Sequence, residues 1–197
     1  NAPVPVNLEC SINEDMIEKA LCLHPHRVTL VPEKREEVTT EGGLDVIKNF
    51  DNIAFIASQF KKAHIELSLF IDPAPSIVEA SCELKAQWIE LHTGSYANIY
   101  AMLYSNLAKT HHSIKALEMD RARLHDALKE ALLELSSAAY YGHSLGLKVA
   151  AGHGLNYHNV HEIKRINEII ELNIGQSIIA GSIFVGLENA MKEMVDV

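Results

Sequence analysis

The sequence predicts an α/β fold in which parallel strands form a barrel, and three observations support this prediction. Short apolar runs alternate with longer stretches of helical period, the pattern of βα units that build a parallel sheet. No GxGxxG turn follows the first run, although a doubly wound dinucleotide-binding fold should carry one. Polar residues instead end five or six separate runs, as expected where the loops of a barrel converge on one site. An open doubly wound sheet is the alternative.

Six runs are predicted as strands because they are short and mostly near-continuously apolar, as strands covered on both faces are. They lie at 4–9, 27–32, 65–72, 88–93, 148–153 and 171–174. A barrel closed by eight strands would need two more βα units, and we expect these to be missing from the N-terminal side of the chain.

Helices are predicted between the runs. They lie near 13–23, 44–63, 76–86, 115–143, 160–169 and 177–194. The helix near 115–143 has the clearest period, and its leucine stripe is assigned to the core rather than to a cofactor site. Tyrosines at 96, 100 and 104 share this spacing and predict a short extra helix, which could cover one face or contact another subunit.

The composition predicts one globular domain over residues 1–197. Of the 197 residues, 48% are hydrophobic, which is enough for one sizeable core. The net charge of −9 argues against a nucleic-acid or membrane partner, since both require clustered basic residues. Three scattered cysteines suit a reducing compartment, and no apolar run approaches the roughly 18 residues that span a bilayer. We therefore expect a cytoplasmic protein.

Glu9, Glu90 and His153 are the candidate catalytic residues, because each lies near the end of a different predicted strand. Burial raises the pKa of a carboxyl group and imidazole titrates near neutrality, so such groups can divide acid and base roles. His92, near Glu90, is a further candidate. Glu90 and His92 could instead simply pair with each other or with loop amides.

Two glycine-bearing loops are candidate anion sites. His153 lies between Gly152 and Gly154, and the loop 173–177 runs directly into the last predicted helix, whose free N–H groups favour phosphate. Helix capping or close packing could also explain these glycines. In the polar loop 34–43, phosphate or hydroxyl groups could be held by Lys34, Arg35, Thr39 and Thr40, or the loop could be merely solvated. No HExxH motif or Cys/His ligand set occurs, so we expect no metal and no other cofactor.

Several long motifs resemble the pyridoxine 5′-phosphate synthase family. They are LVPEKREEVTTEGGLDV, SLFIDP, IELHTGSYA, GLKVAAGHGLNYHNV and ELNIGQSIIAGSIFVGLENAMKEM. The resemblance extends from Asn7 to about Met194. It implies a TIM (β/α)8 barrel with extra helices, assembled as a homo-octamer. It also implies the reaction: condensation of 1-deoxy-D-xylulose 5-phosphate with 3-amino-2-oxopropyl phosphate to pyridoxine 5′-phosphate, with release of phosphate and water in vitamin B6 biosynthesis.

The resemblance also implies roles for individual residues. Glu9 matches an acid/base glutamate, His153 a proton donor, and Glu90 a glutamate that stabilises the transition state. Further matches are to substrate-binding residues: Thr39 for the xylulose phosphate, and Gly154, Gly175 and Gln176 for the aminoketone phosphate. The family usually has histidine where this chain has Gln176, so only its backbone N–H is expected to bind.

The sequence departs from the family at its N-terminal side. Family motifs such as NIDHIATLR and HLREDRRHI, which supply a histidine and phosphate-binding arginines, do not occur. We therefore expect residues 1–197 alone to have little activity. Two alternatives are a different barrel enzyme for phosphorylated carbonyl compounds, such as an aldolase or isomerase, and an inactive fragment kept as a binding module. No lysine lies where a Schiff-base aldolase needs one, at the end of a strand.

Overall fold

The computed structural model of the protein describes residues 3–33 and 42–197. Its six strands are β1 (Asn7–Cys10), β2 (Arg27–Leu30), β3 (Glu66–Ile71), β4 (Trp88–His92), β5 (Lys148–Gly152) and β6 (Ile169–Asn173). Its eight α-helices are α1 (Glu14–Leu23), α2 (Phe50–Lys62), α3 (Pro75–Glu83), α4 (Gly94–Tyr104), α5 (Arg121–Ser144), α6 (Val160–Ile163), α7 (Gln176–Val185) and α8 (Leu187–Asp196). Within these ranges, no helix has both the length and the apolar character that a membrane crossing requires.

The six strands form one parallel sheet in which every strand pairs with its neighbour in the chain. The predicted parallel βα architecture is confirmed. The doubly wound alternative is wrong, because that fold reverses its strand order at a switch point and this sheet does not.

The sheet is curled. Arg27 of β2 forms an ion pair with Glu171 of β6, although four strand spacings separate them. In a flat sheet that separation would be about 19 Å, so these side chains can meet only across a concave face. The carboxyl ends of the strands are thereby brought together around one edge of the curve.

The two faces of the sheet differ in chemistry. Residues on the outer face pack against the helices in one hydrophobic core, as Leu30, Ile71 and Leu91 do with no exposed surface. Alternate residues point to the concave face, where Thr29 and Glu90 are buried polar groups. All residues of β2 and β4 are buried, so these strands are covered on both faces as predicted, although the face inside the curl carries polar side chains.

Most predicted helices are confirmed, with changes at their ends. The first 3 residues of the predicted helix 115–143 form a 3₁₀ turn, and α5 begins after Asp120, whose carboxylate accepts the N–H of Arg123 at 3.0 Å. The predicted helix 177–194 is two helices, since Gly186 has a φ of 81° and ends α7. The extra helix predicted from the tyrosines is α4.

Candidate active site

A cavity of about 1100 Å³ opens at the carboxyl ends of the strands. It brings together six of the seven predicted site residues; its lining includes Glu9, Glu90, His153, Gly154, Gly175 and Gln176. These residues come from β1, β4 and the loops that follow β5 and β6. The seventh, Thr39, lies outside the described residues.

Glu90 is the most perturbed acid of the cavity. It is 4% exposed, and burial raises the pKa of its carboxyl group to about 7, with the negative charges of Glu9 and Glu171 acting in the same direction. The amide of Asn173 and the charge of Arg27 oppose that rise. Among the described residues, Oε2 of Glu90 and Nδ2 of Asn173 have no partner with hydrogen-bond geometry, so the Asn173 amide acts here as a nearby dipole. A carboxyl group of this kind can gain and lose a proton near neutral pH.

Glu9 has the opposite environment. It lies in β1 beside Thr29 of β2 and is exposed to the solvent of the cavity. The two carboxyl groups therefore differ strongly in burial although they belong to one site. Such a difference lets two residues of the same type take different protonation states.

His153 directly follows β5 and has an unusual backbone conformation. Its φ is 82° and that of Gly154 is 77°, a left-handed region that costs energy for any residue with a Cβ. The hydroxyl of Thr93, which is fully buried, lies 2.7 Å from the carbonyl oxygen of Gly152 and 2.6 Å from that of His153. Thr93 thus holds the strained residue at the edge of the cavity.

The rest of this loop is fixed by Asn159, which is 2% exposed. Its Nδ2 donates to the carbonyl oxygen of Gly154 at 3.0 Å, and its Oδ1 accepts the N–H of Asn156 at 2.7 Å. Tyr96 of α4 donates to the carbonyl oxygen of Asn159 at 2.8 Å, and burial raises the pKa of this tyrosine to about 12, so the donor stays protonated. The sequence analysis did not predict Thr93 or Asn159. The available signal was that each is a polar residue directly before a helix, Thr93 before α4 and Asn159 before α6.

His92 pairs with Asp72 and not with Glu90. Its Nδ1 lies 3.1 Å from Oδ1 of Asp72, which also accepts the N–H of Gly43 at 2.9 Å. The predicted alternative of a Glu90–His92 pair is therefore wrong, because His92 ends β4 and turns toward the residue that follows β3. The His92 ring lies 4.9 Å from the His153 ring, measured between centroids.

The second glycine-bearing loop leads into α7. Gly175 occupies the N-cap position and Gln176 is the first helical residue, and no side chain caps this end. The first N–H groups of α7 are therefore not satisfied by a capping side chain, which is the property of an anion-binding helix start. Ser177 donates to the carbonyl oxygen of Leu155 at 3.1 Å and so joins the two predicted anion loops.

The site as a whole combines acid–base groups with an exposed helix start. Over residues 3–33 and 42–197, no three His, Cys, Asp or Glu side chains are grouped so that they could hold a metal ion. The chemistry of the described groups is that of proton transfer next to a bound anion.

Fold and site define an α/β protein whose cavity, at the carboxyl edge of a curled parallel sheet, is lined by ionisable groups. The chain belongs to the family described as pyridoxal phosphate biosynthesis protein PdxJ, whose model matches residues 1–197. The predicted family is thus confirmed, and with it the role in vitamin B6 biosynthesis. This membership argues against the alternatives of an aldolase, an isomerase and an inactive binding module.

Curated relatives agree with this assignment, and a solved structure shares the fold. The pyridoxine 5′-phosphate synthase of Aliarcobacter butzleri is 56% identical over 195 residues, 98% of this chain and 75% of that protein. The one from Sulfurovum sp. is 58% identical over 191 residues, 97% of this chain and 74% of that protein. A xylose isomerase domain protein from Planctomyces limnophilus has a TM-score of 0.50 at 11% identity, covering 98% of this chain and 70% of its own; this concerns the fold alone.

Proposed function

We propose that this chain carries the active site of a pyridoxine 5′-phosphate synthase. The reaction condenses 1-deoxy-D-xylulose 5-phosphate with 3-amino-2-oxopropyl phosphate and releases phosphate and water. The observation that carries the proposal is one cavity that contains Glu9, Glu90, His153 and the uncapped start of α7. Ring closure by successive condensation and dehydration needs proton donors and acceptors beside phosphate groups, and this cavity provides both kinds of group.

The three titratable residues take different roles in this proposal. Glu9, exposed to the cavity, acts as the acid/base carboxylate. His153 donates the proton that lets hydroxyl groups leave as water. Glu90 is buried and has a pKa of about 7. In its ionised form it stabilises the positive charge that develops on nitrogen during imine formation.

Phosphate binding is assigned to the glycine-bearing loops. Gly154, Gly175 and the backbone N–H of Gln176 bind the phosphate of the aminoketone, where the dipole of α7 favours a dianion. Thr39 binds the xylulose phosphate. The side chain of Gln176 is neutral, so it adds no charge to this site.

We further propose that the curled sheet is part of a (β/α)8 barrel and that residues 1–197 belong to one barrel domain. We also propose that the enzyme is a cytoplasmic homo-octamer. The strand order and the Arg27–Glu171 contact across the concave face support the barrel. The net charge of −9 supports small phosphorylated substrates, and not nucleic acid or a membrane, as partners.

A ring-closure assay on the whole enzyme tests the proposal. We expect His153→Asn and Glu9→Gln each to lower kcat by roughly 10²-fold or more, as for a lost acid or base. Glu130→Gln is the matched control, because Glu130 is an exposed carboxylate of α5 that does not line the cavity. Unchanged kcat in both cavity variants, or an equal loss in the control, would contradict the assignment.

A further inference from the structure

We propose that Asp72 and His92 form a positioning pair that holds His153 in its cationic, proton-donating form. The inference rests on the proposed function only for the use to which that proton is put. Asp72 directly follows β3 and His92 is the last residue of β4. Neither belongs to the set assigned to the reaction above. Three features of their geometry support the proposal.

The first feature is the tautomer of His92. The hydrogen bond from His92 keeps the pKa of Asp72 below its ordinary value, and the N–H of Gly43 acts in the same direction against the effect of burial. An ionised carboxylate can only accept hydrogen bonds, so Nδ1 of His92 must be the donor. The proton of a neutral His92 is therefore fixed on Nδ1, and Nε2 carries the lone pair.

The second feature is the packing of the two imidazoles. The His92 side chain is 6% exposed and lies edge-on to Phe70, with 5.1 Å between ring centroids. Gly94 closes the other side, where a Cβ would lie 2.5 Å from Nε2 of His92 and 3.1 Å from Cδ2 of His153. His92 therefore cannot move without moving His153.

The third feature is Nε2 of His92, which is buried and has no hydrogen-bond partner in the described part of the chain. Buried polar atoms are nearly always paired, and the exceptions call for an explanation. The His92 ring lines the cavity, but Nε2 has almost no exposed surface, so direct contact with substrate does not provide one. Electrostatic support of the neighbouring ring does.

Asp72 brings one negative charge to the imidazole that packs against the His153 ring. A negative charge close to an imidazole favours its cationic form, which is the form that a proton donor needs. Within residues 3–33 and 42–197, the other ionisable side chains that line this cavity are Glu9 and Glu90. The first turn of α4 brings the positive end of its dipole toward the same rings and acts in the opposite direction.

The test is an NMR titration of the His153 ring in the whole enzyme without substrate. We expect Asp72→Asn to lower the pKa of His153 by about half a unit or more, because one negative charge is removed. Asp45→Asn is the matched control: it makes the same change of charge on an exposed residue outside the cavity and should leave the titration unchanged. An equal titration of His153 in wild type and Asp72→Asn would overturn the proposal, even in an active enzyme.

Two variants of His92 keep the test decisive if Asp72→Asn does not fold. His92→Asn retains an N–H donor near the position of Nδ1 and should hold Asp72 in place, so His153 should titrate as in wild type. His92→Leu removes the donor, so Asp72 keeps the N–H of Gly43 but loses its link to the ring beside His153, and this variant should lower the pKa of His153. The same behaviour in both would overturn the proposal, since packing alone would then account for His92.

Kinetics add a readout that packing would not move. Because a proton donor loses activity as pH rises through its pKa, the alkaline limb of kcat should shift to lower pH in Asp72→Asn. The KM for 3-amino-2-oxopropyl phosphate should stay within about twofold, since neither side chain of the pair hydrogen-bonds to Gly154, Gly175 or Gln176 in the described part of the chain. If the wild-type enzyme does not close the ring, the NMR result still stands, so failure of the proposed function and failure of the positioning pair are distinguishable.

Discussion

Glu90 has different charge states in different parts of the neutral pH range. Its pKa rises from 4.5 to about 7 because the buried carboxylate loses its hydration. Between these two values the folded protein keeps the proton that the unfolded chain has released. The unfolded state is then favoured as pH rises, so Glu90 lowers the stability of the protein progressively from about pH 4.5 to 7 and fully above that range.

Replacing Glu90 by glutamine should remove this penalty. We expect the free energy of unfolding of Glu90→Gln, relative to wild type, to rise by about 3 kcal/mol between pH 4 and pH 8, because the shift of about 2.5 pKa units disappears. Urea denaturation at the two pH values measures the difference. Glu130→Gln, on the exposed face of α5, should show no such rise. A difference independent of pH would mean that folding does not shift the pKa of Glu90.

At this scale the sequence predicted some residues of the site and missed others. Glu9, Glu90 and His153 were predictable because they end strands whose carboxyl ends must converge in a parallel βα sheet. Asp72, Thr93 and Asn159 were not predicted as parts of the site, because their roles depend on individual contacts between separate elements. Thr93, for example, bonds a carbonyl group 60 residues away in the chain. Strand periodicity carries no information about such contacts.

Among the elements, the loop after β5 depends most on its neighbours. It contains consecutive residues with left-handed backbone angles, and its conformation is held by side chains of α4, of the turn before α4 and of its own end. Gly154 has no Cβ and adopts this conformation without steric strain, whereas the Cβ of His153 makes the same conformation unfavourable. The position of the catalytic imidazole is therefore set by hydrogen bonds to the loop rather than by the strand alone.

Thr93→Val tests this dependence. The variant keeps the shape of the side chain but removes its hydroxyl. The carbonyl group of His153 then loses this buried donor, whereas that of Gly152 still accepts the backbone N–H of residue 93 at 2.9 Å, and we expect the free energy of unfolding to fall by about 1–3 kcal/mol. kcat should fall as well, because His153 is released from its strained position. Thr93→Ser restores the hydroxyl and is the control. Full activity and stability of Thr93→Val would show that the loop holds His153 without this donor.

Helix lengths were the least predictable feature at this scale. Hydrophobic period continues through a break when both sides of the break pack on the same surface, so the sequence of α7 and α8 resembled one helix. Gly186 separates them by its positive φ. The predicted helix 160–169 ends instead at Ile163, and the chain turns early into β6.

Across the whole molecule, the ion pair of Arg27 and Glu171 joins two strands that are distant in the sheet. The guanidinium also lies 4.1 Å from the centre of the Trp88 ring, and Trp88 in turn donates to Glu66 at 2.8 Å. These residues form a polar layer below the cavity, at the opposite end of the curl. Strand order was predictable from chain order, but this layer was not, because it depends on the curvature.

Removing one partner of this pair should destabilise the protein strongly. We expect Arg27→Met to lower the free energy of unfolding by about 3–5 kcal/mol, because it leaves the Glu171 carboxylate partly buried without its cation. The double variant Arg27→Met/Glu171→Gln should recover part of the loss, since it buries no uncompensated charge. Urea unfolding of both single variants and the double variant measures the coupling. Additive effects would show that the two side chains do not interact energetically.

The two-sided character of the strands has a consequence for how this protein can change. Hydrocarbon packing lies outside the sheet, between strands and helices, whereas the ionisable groups lie inside the curl. Successive residues of one strand therefore contribute either to the cavity or to the apolar packing. A substitution of a residue that faces the cavity leaves the side chains of the apolar core unchanged. A substitution inside the curl can accordingly change the charge of the cavity and, as at Glu90, the electrostatic cost to stability, while the apolar packing outside the sheet stays the same.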